Sequence, residues 1–418
     1  MLFSPPVSPW FPRKGVYRAL TFDISRVRAA YPALADGNAY LDGAAGTQAP
    51  SAVIEAIAGA YRGGLSNVHG AFAASARSGE IVTAARAAVA DLVGGVPDGV
   101  IFGPSTTALT YRLAAVLARR WAPGDSIVVS RLDHDANVRP WVQAADRAHV
   151  TVRWAEVDPS SGELDVGQYH NLVDSRTRLV AVTAASNLLG TRPDVAGIAE
   201  IAHHVGALTY VDGVHAVPHG PVSAGDLGAD FFATSAYKWG GPHVAAVVAS
   251  PERLEPLRPD KLVPSPDDVP ERFELGTLPF GDLAGVTAAV DHLASLAGPG
   301  GPRRAALLAS MAEVESYELG LFSRMLDGLA AMSHVTLYGK AAHRTPTVYF
   351  NLAGRSPASV ASALAEAGVN VWDGDNYAYE LVRALGLAAS GGAVRAGLVH
   401  YNDASDVERL LSAVAGLA

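Results

Sequence analysis

The chain has 418 residues, of which 49% are hydrophobic and 17% charged, and its formal net charge is −9 at pH 7. A chain of this length can build a sizeable core, and its acidic balance disfavours the broad positive field that nucleic-acid or membrane binding uses. It contains no cysteine, which excludes disulfides, thiolate metal sites and a cysteine nucleophile.

No signal for export or membrane insertion stands out in the sequence. No uninterrupted apolar run approaches the 18 or so residues of a transmembrane helix, and the proline-rich start lacks the apolar stretch of a signal peptide. We therefore expect a soluble cytoplasmic protein with neither a membrane nor a nucleic acid as partner.

Apolar strands alternate with helical stretches in the first two thirds of the chain, after an arm over residues 1–24. Strands separated by helices predict an α/β fold with a mainly parallel sheet and helices on both faces. The predicted helices are Ser25–Tyr31, Ile81–Leu92, Thr106–Arg119, Val138–Ala148, Val195–Val205 and Ala284–Leu296. The predicted strands are Ala39–Leu41, Val100–Phe102, Ser126–Ser130, Val150–Glu156, Thr177–Thr183, Leu208–Asp212, Phe231–Thr234 and Ala245–Ala249.

A glycine- and proline-rich stretch at residues 298–302 predicts a domain boundary. We expect a large domain over residues 25–297, whose first helix packs on the small domain, and a smaller α+β domain over residues 298–418. The elements predicted for the small domain are Pro302–Leu329, Val335–Tyr338, Thr345–Leu352, Ala358–Ala367, Val369–Trp372, Val394–His400 and Ser405–Leu417.

Two strand ends carry residues that suit catalysis, since parallel sheets place ligands at the carboxyl ends of their strands. Lys238 follows an apolar strand and precedes Gly240 and Gly241. A lysine among apolar and aromatic neighbours loses preference for its charged form and becomes a nucleophilic amine. Asp212 ends another apolar strand and needs a cationic partner, such as a protonated pyridine nitrogen; it can equally be a helix N-cap.

Two further loops fit the binding of a phosphorylated ring. His134 follows the strand Ser126–Ser130, where its imidazole can stack on a cofactor ring or belong to an ordinary loop. Ser105, Thr106 and Thr107 stand between a strand and a helix. Hydroxyls and free N–H groups at a helix start bind phosphate, although an ordinary helix cap has the same residues.

The order of these motifs resembles the class V aminotransferase superfamily, and within it the group II cysteine desulfurase and selenocysteine lyase branch. The resemblance runs from about residue 26 to the C-terminus. The residues that carry it are Tyr40-Leu41-Asp42, Asn67-Val68-His69, Thr106-Thr107, His134, Ser186 to Thr191, Val211-Asp212-Gly213, Ser235 to Lys238, Arg272 to Thr277 and Arg395-Ala396.

The resemblance implies the pyridoxal 5′-phosphate (PLP)-dependent transferase fold of type I, with a seven-stranded type of sheet and PLP on Lys238. Asp212 would pair with the pyridine nitrogen and His134 would stack on the ring. Arg395 would hold the substrate carboxylate in its planar fork, and Thr277 would reach the phosphate of a neighbouring subunit, which implies a homodimer. The other residues implied to bind the cofactor are Thr106, Thr107, Asn187, His215, Ser235 and Tyr237; Asn187, Tyr377 and His69 are implied to bind substrate.

The sequence differs from this branch at positions whose residues take part in the chemistry of the branch. Tyr377 stands at the place of the desulfurase's persulfide-forming cysteine, so persulfide transfer is chemically impossible for this chain. His215 stands where the branch has glutamine, Tyr237 where it has histidine, and Gly70 and Trp372 where it has arginines. The site has lost cationic groups and gained aromatic ones, which favours a bulkier or more apolar substrate side chain.

We therefore expect a PLP-dependent enzyme that acts on an amino acid, with C–S β-elimination favoured over a class V aminotransferase or an epimerase. A PLP-fold scaffold or regulator is the non-enzymatic alternative, against which Lys238, Asp212 and Arg395 argue. The tyrosines Tyr377 and Tyr379 either accommodate the substrate or only pack the loop.

Two other interpretations are weaker. Ser235 to Lys238 fits the Ser-x-x-Lys motif of penicillin-binding proteins, but the accompanying Ser-Asp-Asn and Lys-Thr-Gly elements are missing and a strand precedes the serine. The adjacent His203 and His204 point to different sides of a helix, so they do not form a metal site. No metal is expected.

Overall fold

The computed structural model describes residues 22–298 and 300–418. The α-helices are α1 Ile24–Ala29, α2 Ser51–Arg62, α3 Ala73–Val93, α4 Thr106–Ala118, α5 Arg139–Ala148, α6 Tyr169–Leu172, α7 Val195–His204, α8 Pro251–Leu254, α9 Phe280–Ala294, α10 Arg303–Ala330, α11 Pro357–Glu366, α12 Tyr379–Ala384 and α13 Ala404–Ala415. The strands are β1 Ala39–Tyr40, β2 Val100–Gly103, β3 Ser126–Ser130, β4 Thr151–Ala155, β5 Thr177–Thr183, β6 Leu208–Asp212, β7 Phe231–Ser235, β8 Ala245–Ala249, β9 Val335–Tyr338, β10 Thr347–Leu352, β11 Val369–Asn370, β12 Trp372–Gly374 and β13 Ala393–Gly397. The predicted N-terminal arm falls mostly outside the described residues, since only Phe22 and Asp23 precede α1.

A seven-stranded sheet forms the centre of the fold in the order β2-β8-β7-β6-β5-β3-β4. Strand β8 is antiparallel to both of its neighbours, and the other pairs are parallel. Strands such as β3 and β7 are buried along their whole length, as expected of a sheet that helices cover on both faces. The predicted fold class, with a mainly parallel sheet of seven strands, is confirmed.

The two faces of this sheet contribute to two different apolar clusters because successive strand residues point in opposite directions. In β3, Ile127 and Val129 join the cluster that contains Trp141 of α5, whereas Val128 joins the cluster that contains Val89 of α3. Helices α4 and α5 thus cover one face, and α3, α7 and α9 pack on the other.

The C-terminal domain contains a four-stranded antiparallel sheet in the order β12-β13-β10-β9. The long helix α10 belongs to both parts of the molecule: Met311 packs in the core that includes α3 and α9, and Met325 in the core of the C-terminal sheet. Strand β1 pairs in parallel with β11, and Arg28 of α1 contacts Asp406 at 2.9 Å. The start of the described chain therefore lies against the C-terminal domain. The predicted boundary between the two domains, at residues 297 and 298, remains a proposal.

The predicted strand Val369–Trp372 is wrong as a single element. Residues 369–370 pair with β1, whereas Trp372 opens β12 and pairs with β13, so the chain passes between two sheets at Val371. An apolar run of four residues carries no information about such a change of partner.

Helix α2 is missing from the sequence-based prediction, and α3 begins at Ala73 rather than Ile81. A Cβ built on Gly285 of α9 would lie 2.8 Å from Cγ1 of Ile57, so the glycine permits close packing of α2 on α9. The spacing of Val53 and Ile57 by four residues is the helical signal that was available. Among the described residues, no helix is long and apolar enough to cross a bilayer.

A buried ion pair fixes α3 to the edge of the large sheet. The guanidinium of Arg86 donates two hydrogen bonds to Glu274, at 2.9 and 2.8 Å, and the backbone N–H of Phe102 in β2 donates a third at 2.8 Å. The two side chains are only 9% and 5% exposed, compared with 70% and 68% for Arg62 and Glu55.

We predict that Arg86→Met lowers the free energy of unfolding by about 3–5 kcal/mol, because it leaves the Glu274 carboxylate buried without its cation. The control Arg62→Met removes an exposed pair and should cost less than about 1 kcal/mol. Urea unfolding of both variants measures the difference, and equal costs would contradict the prediction.

Candidate active site

The carboxyl ends of adjacent strands meet at one cavity of about 540 Å³, here called the inner cavity. Strand β6 ends at Asp212, β7 ends at Ser235, and a short 3-10 helix, Ala236–Lys238, follows β7 directly. Parallel strands bring their ends to the same edge of a sheet, which is why these separate motifs meet. The predicted site residues that line the inner cavity are Thr106, Thr107, His134, Asn187, Asp212, His215, Ser235, Tyr237 and Lys238.

Lys238 is a buried amine at the centre of this arrangement. Its Nζ donates a hydrogen bond to the carbonyl oxygen of Ala44 at 2.5 Å. Burial, together with the nearby positive charge of Arg395, lowers the pKa of Lys238 to about 7, although Asp212 and Asp42 oppose this shift. A substantial fraction of the amine is therefore neutral and nucleophilic near neutral pH.

Asp212 is held in place by the turn that follows β6. Its Oδ1 accepts a hydrogen bond from the backbone N–H of Val214 at 2.9 Å, and burial raises its pKa to about 6. A Cβ on Gly213 would lie 1.9 Å from Cζ of Phe232, so the tight turn after Asp212 requires a glycine. No salt bridge to Asp212 exists among the described residues, and the carboxylate is thus available to a cationic ligand.

The hydroxyl groups at the start of α4 have two different roles, one in capping the helix and one in forming the cavity wall. Ser105 is the helix cap, since its Oγ accepts a hydrogen bond from the N–H of Ala108 at 3.1 Å. The hydroxyls of Thr106 and Ser235 lie 2.6 Å apart across the inner cavity wall. Together with the unpaired N–H groups of the helix start, they form an arrangement suited to an anion such as phosphate.

His134 presents a neutral ring to the inner cavity. Its Nδ1 accepts a hydrogen bond from the N–H of Ala136 at 3.0 Å, and burial and the charges of Lys238 and Arg395 lower its pKa to about 3. The ring stacks on Tyr377 with centroids 5.5 Å apart and an interplanar angle of 23°.

The residue before His134 was missed by sequence reasoning. Asp133 is buried and accepts hydrogen bonds from Ser130 and, at 2.6 Å, from Asn137. Burial raises its pKa to about 8. Its partners lie within four residues along the chain, so the signal was a local cluster of polar residues after β3, which also fits an exposed loop.

His215 and Tyr237 lie on the inner cavity wall, where the resemblance implied glutamine and histidine in the related branch. The Nε2 of His215 lies 3.1 Å from the hydroxyls of both Thr345 and Thr347, and its buried Nδ1 has no hydrogen-bond partner. Tyr237 stacks on His243 with centroids 4.9 Å apart. An unpartnered buried nitrogen is costly unless a ligand satisfies it.

Arg395 reaches the site from β13 of the C-terminal domain. It is buried, and its Nη1 donates to the carbonyl oxygen of Asn187 at 2.9 Å. Burial lowers its pKa to about 10, and it forms no salt bridge within residues 22–298 and 300–418. Because a guanidinium binds a carboxylate through two parallel hydrogen bonds, Arg395 is a fitting receptor for an acid ligand.

The loop that carries Tyr377 closes over this region. Asn187 donates from Nδ2 to the carbonyl oxygen of Asn376 at 2.9 Å, and the N–H of Asp135 donates to the carbonyl oxygen of Tyr377 at 2.7 Å. Tyr377 and Arg395 line a larger space of about 1530 Å³ that shares Lys238, His134 and Asn187 with the inner cavity. We call this space the outer chamber.

Two predicted site residues line neither the inner cavity nor the outer chamber. His69 and Thr277 line a separate cavity of about 2150 Å³, here called the side cavity. The His69 side chain is 72% exposed and its Nε2 lies 4.0 Å from Glu271. Within one chain the structure does not bring either residue to Lys238. His203, which was considered as a metal ligand, instead lies 3.0 Å from Asp230.

The fold and the lysine-centred cavity are those expected of the fold named PLP-dependent transferase type I. The family described as Aminotransferase class-V matches residues 39–410, and the chain belongs to this family. A probable cysteine desulfurase of Pseudomonas aeruginosa is 35% identical over 93% of this chain and 96% of that protein.

Two further similarities extend over nearly the whole chain. An uncharacterized protein of Mycobacterium tuberculosis is 35% identical over 95% of this chain and 100% of its own length. A crystal structure of the cysteine desulfurase CsdA of Escherichia coli superposes with a TM-score of 0.83 at 29% identity, covering 95% of this chain and 98% of that one. The resemblance inferred from the motifs is confirmed: the relatives of this chain are PLP-dependent enzymes.

We predict that the Lys238 amine reacts with a small acylating reagent with a pH midpoint near 7, because burial disfavours its protonated form. Arg395→Met should raise this midpoint, since it removes a nearby positive charge. Peptide mass spectrometry across a pH series measures the labelling rate at Lys238. In urea-unfolded protein the midpoint should return towards 10.5, the ordinary value; an unchanged midpoint on unfolding would refute the assignment.

Proposed function

We propose that this protein is a PLP-dependent C–S β-lyase that acts on a cysteine S-conjugate or a related sulfur amino acid. The observation that carries the proposal is the combination of a cysteine-free chain with an aspartate in the inner cavity, an arginine in the outer chamber and a lysine that lines both. Tyr377 occupies the loop position at which a desulfurase needs its thiol, so sulfur has to leave with the substrate's own substituent.

The residues of the inner cavity fit PLP. The neutral amine of Lys238 suits the cofactor aldehyde, and the unpaired carboxylate of Asp212 suits a protonated pyridine nitrogen. Thr106, Thr107 and Ser235 would hold the phosphate at the start of α4. His134 would stack on the ring, and the unpartnered atoms of two side chains, Asn187 Oδ1 and His215 Nδ1, would face polar groups of the ligand; Tyr237 would complete the wall.

When bound, PLP supplies an electron sink that stabilises negative charge at the substrate Cα. The residues of the chain supply the remaining functions. Arg395 would bind the substrate carboxylate through its guanidinium fork. Lys238 would accept the Cα proton, for which a pKa of about 7 is well placed. Asp212 would keep its ring partner protonated, because a buried carboxylate favours a cation beside it.

The proposed reaction balances without an enzyme thiol. The Cα–H proton passes to the amine of Lys238, and the Cβ–S bond breaks with its electron pair leaving on sulfur as a thiolate. The released 2-aminoacrylate hydrolyses to pyruvate and ammonium. The net change converts the S-conjugate and water to a thiol, pyruvate and ammonium, with no oxidant or reductant.

We predict that the PLP-loaded protein releases equal amounts of pyruvate and thiol from a cysteine S-conjugate. Lys238→Ala should lower kcat by about 10²–10⁴-fold, the range expected for loss of a general base. Coupled assays for pyruvate and thiol measure both. Formation of pyridoxamine phosphate with a keto acid would replace the proposal with an aminotransferase, and inversion at Cα without pyruvate would replace it with an epimerase.

We also propose that the active species is a homodimer in which Thr277 of one subunit reaches the phosphate site of the other. Thr277 and the 68% exposed Leu262 line the side cavity, and Val263 and Leu275, which are sequence neighbours of lining residues, are 96% and 66% exposed. Clustered exposed apolar side chains mark an interaction surface, and most such assemblies are two-fold symmetric.

We predict that mixed dimers of Lys238→Ala and Thr277→Val recover activity at limiting PLP, where each variant alone is defective. Half of the dimers formed by co-refolding equal amounts are mixed, and each has one intact site, so about one quarter of the wild-type activity should return. Refolding each variant alone serves as the control, and no recovery on mixing would contradict shared sites.

A further inference from the structure

The outer chamber contains side chains that the reaction proposed above does not use. We refer to six of them as the chamber rim: Tyr111, Arg139, Trp372, Asp373, Asp375 and Tyr377. They line the same chamber as Lys238 and Arg395.

Three members of the chamber rim are exposed aromatic side chains. Tyr111, Trp372 and Tyr377 are 38%, 53% and 73% exposed. Trp372 of β12 is the register partner of Arg395 in β13, and directly opposed residues of an antiparallel pair project on the same face with their Cβ atoms about 4.5–5.5 Å apart. The side chains of Trp372 and Arg395 therefore leave the sheet on the same face, at neighbouring positions.

The loop places Tyr377 rigidly rather than leaving it free. Asn376 and Tyr377 both have positive φ, 50° and 59°, a strained conformation for residues other than glycine. The Oδ1 of Asp375 accepts from the N–H of Tyr377 at 3.0 Å, and the ring stacks on His134. The hydrogen bonds from Asn187 and Asp135 described above hold the carbonyl groups of Asn376 and Tyr377. The tyrosine is therefore a pre-formed wall of the chamber.

The chamber rim carries two aspartates against one arginine, while the cations Arg395 and Lys238 line the same chamber and are assigned above to the substrate carboxylate and the cofactor. The one cation of the chamber rim, Arg139, is already matched by two carboxylates, Asp135 and Glu380, each at 2.9 Å. Asp373 and Asp375 form no salt bridge among the described residues.

We propose that the substrate amino acid carries a positively charged group at the far end of its side chain and that the chamber rim selects it. This inference rests on the proposed function. With the carboxylate on Arg395 and the Cα at Lys238, a long β-substituent extends between Trp372 and Tyr377. Aromatic faces attract a cation such as a quaternary ammonium group, and Asp373 and Asp375 add attraction that an anionic side chain would experience as repulsion.

The test uses three cysteine S-conjugates of similar size on the PLP-loaded protein: S-(2-trimethylammonioethyl), the neutral isostere S-(3,3-dimethylbutyl), and the anionic S-(2-carboxyethyl). Two readouts are taken for each, the change in cofactor absorbance on binding and kcat/KM for pyruvate release. We expect the cationic conjugate to exceed the neutral one by about tenfold in kcat/KM, mainly through KM, and the anionic one to be the poorest.

Two variants localise the preference. Asp375→Asn should lower the ratio of cationic to neutral kcat/KM by several-fold, and Trp372→Leu should lower it as well. Asp146→Asn makes the same change of charge at an exposed position of α5 and should keep the wild-type ratio. A ratio near one, a preference for the anionic conjugate, or a ratio unaffected by both rim variants would overturn the inference.

The two proposals fail in different ways. Cleavage of all three conjugates without a charge preference removes the inference and leaves the lyase. Absorbance changes that favour the cationic conjugate without pyruvate remove the lyase and leave the inference. Absence of an absorbance change with every conjugate would overturn both.

Discussion

Burial of the Lys238 amine is the constraint on which the rest of the site depends. A lysine taken out of water loses much of its preference for the charged form, and its Nζ here has a single carbonyl acceptor, that of Ala44. Asp212 and Asp42 favour its charged form and Arg395 opposes it, so the amine stays poised between two protonation states. The carboxyl end of β6 supplies Asp212, the first of these charges, and β13 of the C-terminal domain supplies Arg395, the last. A displacement of either sheet would therefore alter the reactivity of the amine as well as the shape of the cavity.

The two domains meet through contacts that serve binding and architecture together. Asn187, after β5, accepts from Arg395 through its carbonyl oxygen and donates through its amide to the loop at Asn376. His215 contacts the hydroxyls of Thr345 and Thr347 at the opposite side of the inner cavity. These hydrogen bonds join residues of the two domains. The C-terminal sheet is therefore positioned by the same residues that line the inner cavity. Burying polar groups in this way is tolerable only where each finds a partner, and two atoms without one among the described residues, Asn187 Oδ1 and His215 Nδ1, belong to side chains that line the inner cavity.

The sequence predicted the central sheet well because its strands are continuous apolar runs that end in polar residues. Asp212, Ser235 and Lys238 were recognisable for the same reason, since strand ends concentrate at one edge of a parallel sheet. Alanine- and glycine-rich helices such as α2 and the first turns of α3 were not, because small residues give weak periodicity. The division of residues 369–374 between two sheets depends on the position of β1, which is more than 320 residues away along the chain. The link from Arg395 to Asn187 is equally tertiary and leaves no local pattern, and the local cluster of polar residues around Asp133 does not reveal that its carboxyl group is buried.

A chain without a thiol has to treat sulfur differently from the desulfurases that it resembles. A nucleophilic cysteine removes the sulfur atom itself, so the enzyme has no need to recognise anything beyond that atom. Under the proposed function the sulfur leaves as a thiolate with its substituent attached, and the substituent is then the part of the substrate that remains for recognition. By the resemblance to the desulfurases, Tyr377 would stand at the position of their thiol; it lines the outer chamber, and Trp372 is the register partner of Arg395, the proposed receptor of the carboxylate. Loss of the nucleophile and gain of a binding surface are in this sense one change, because the same loop residue cannot attack the sulfur and hold its substituent.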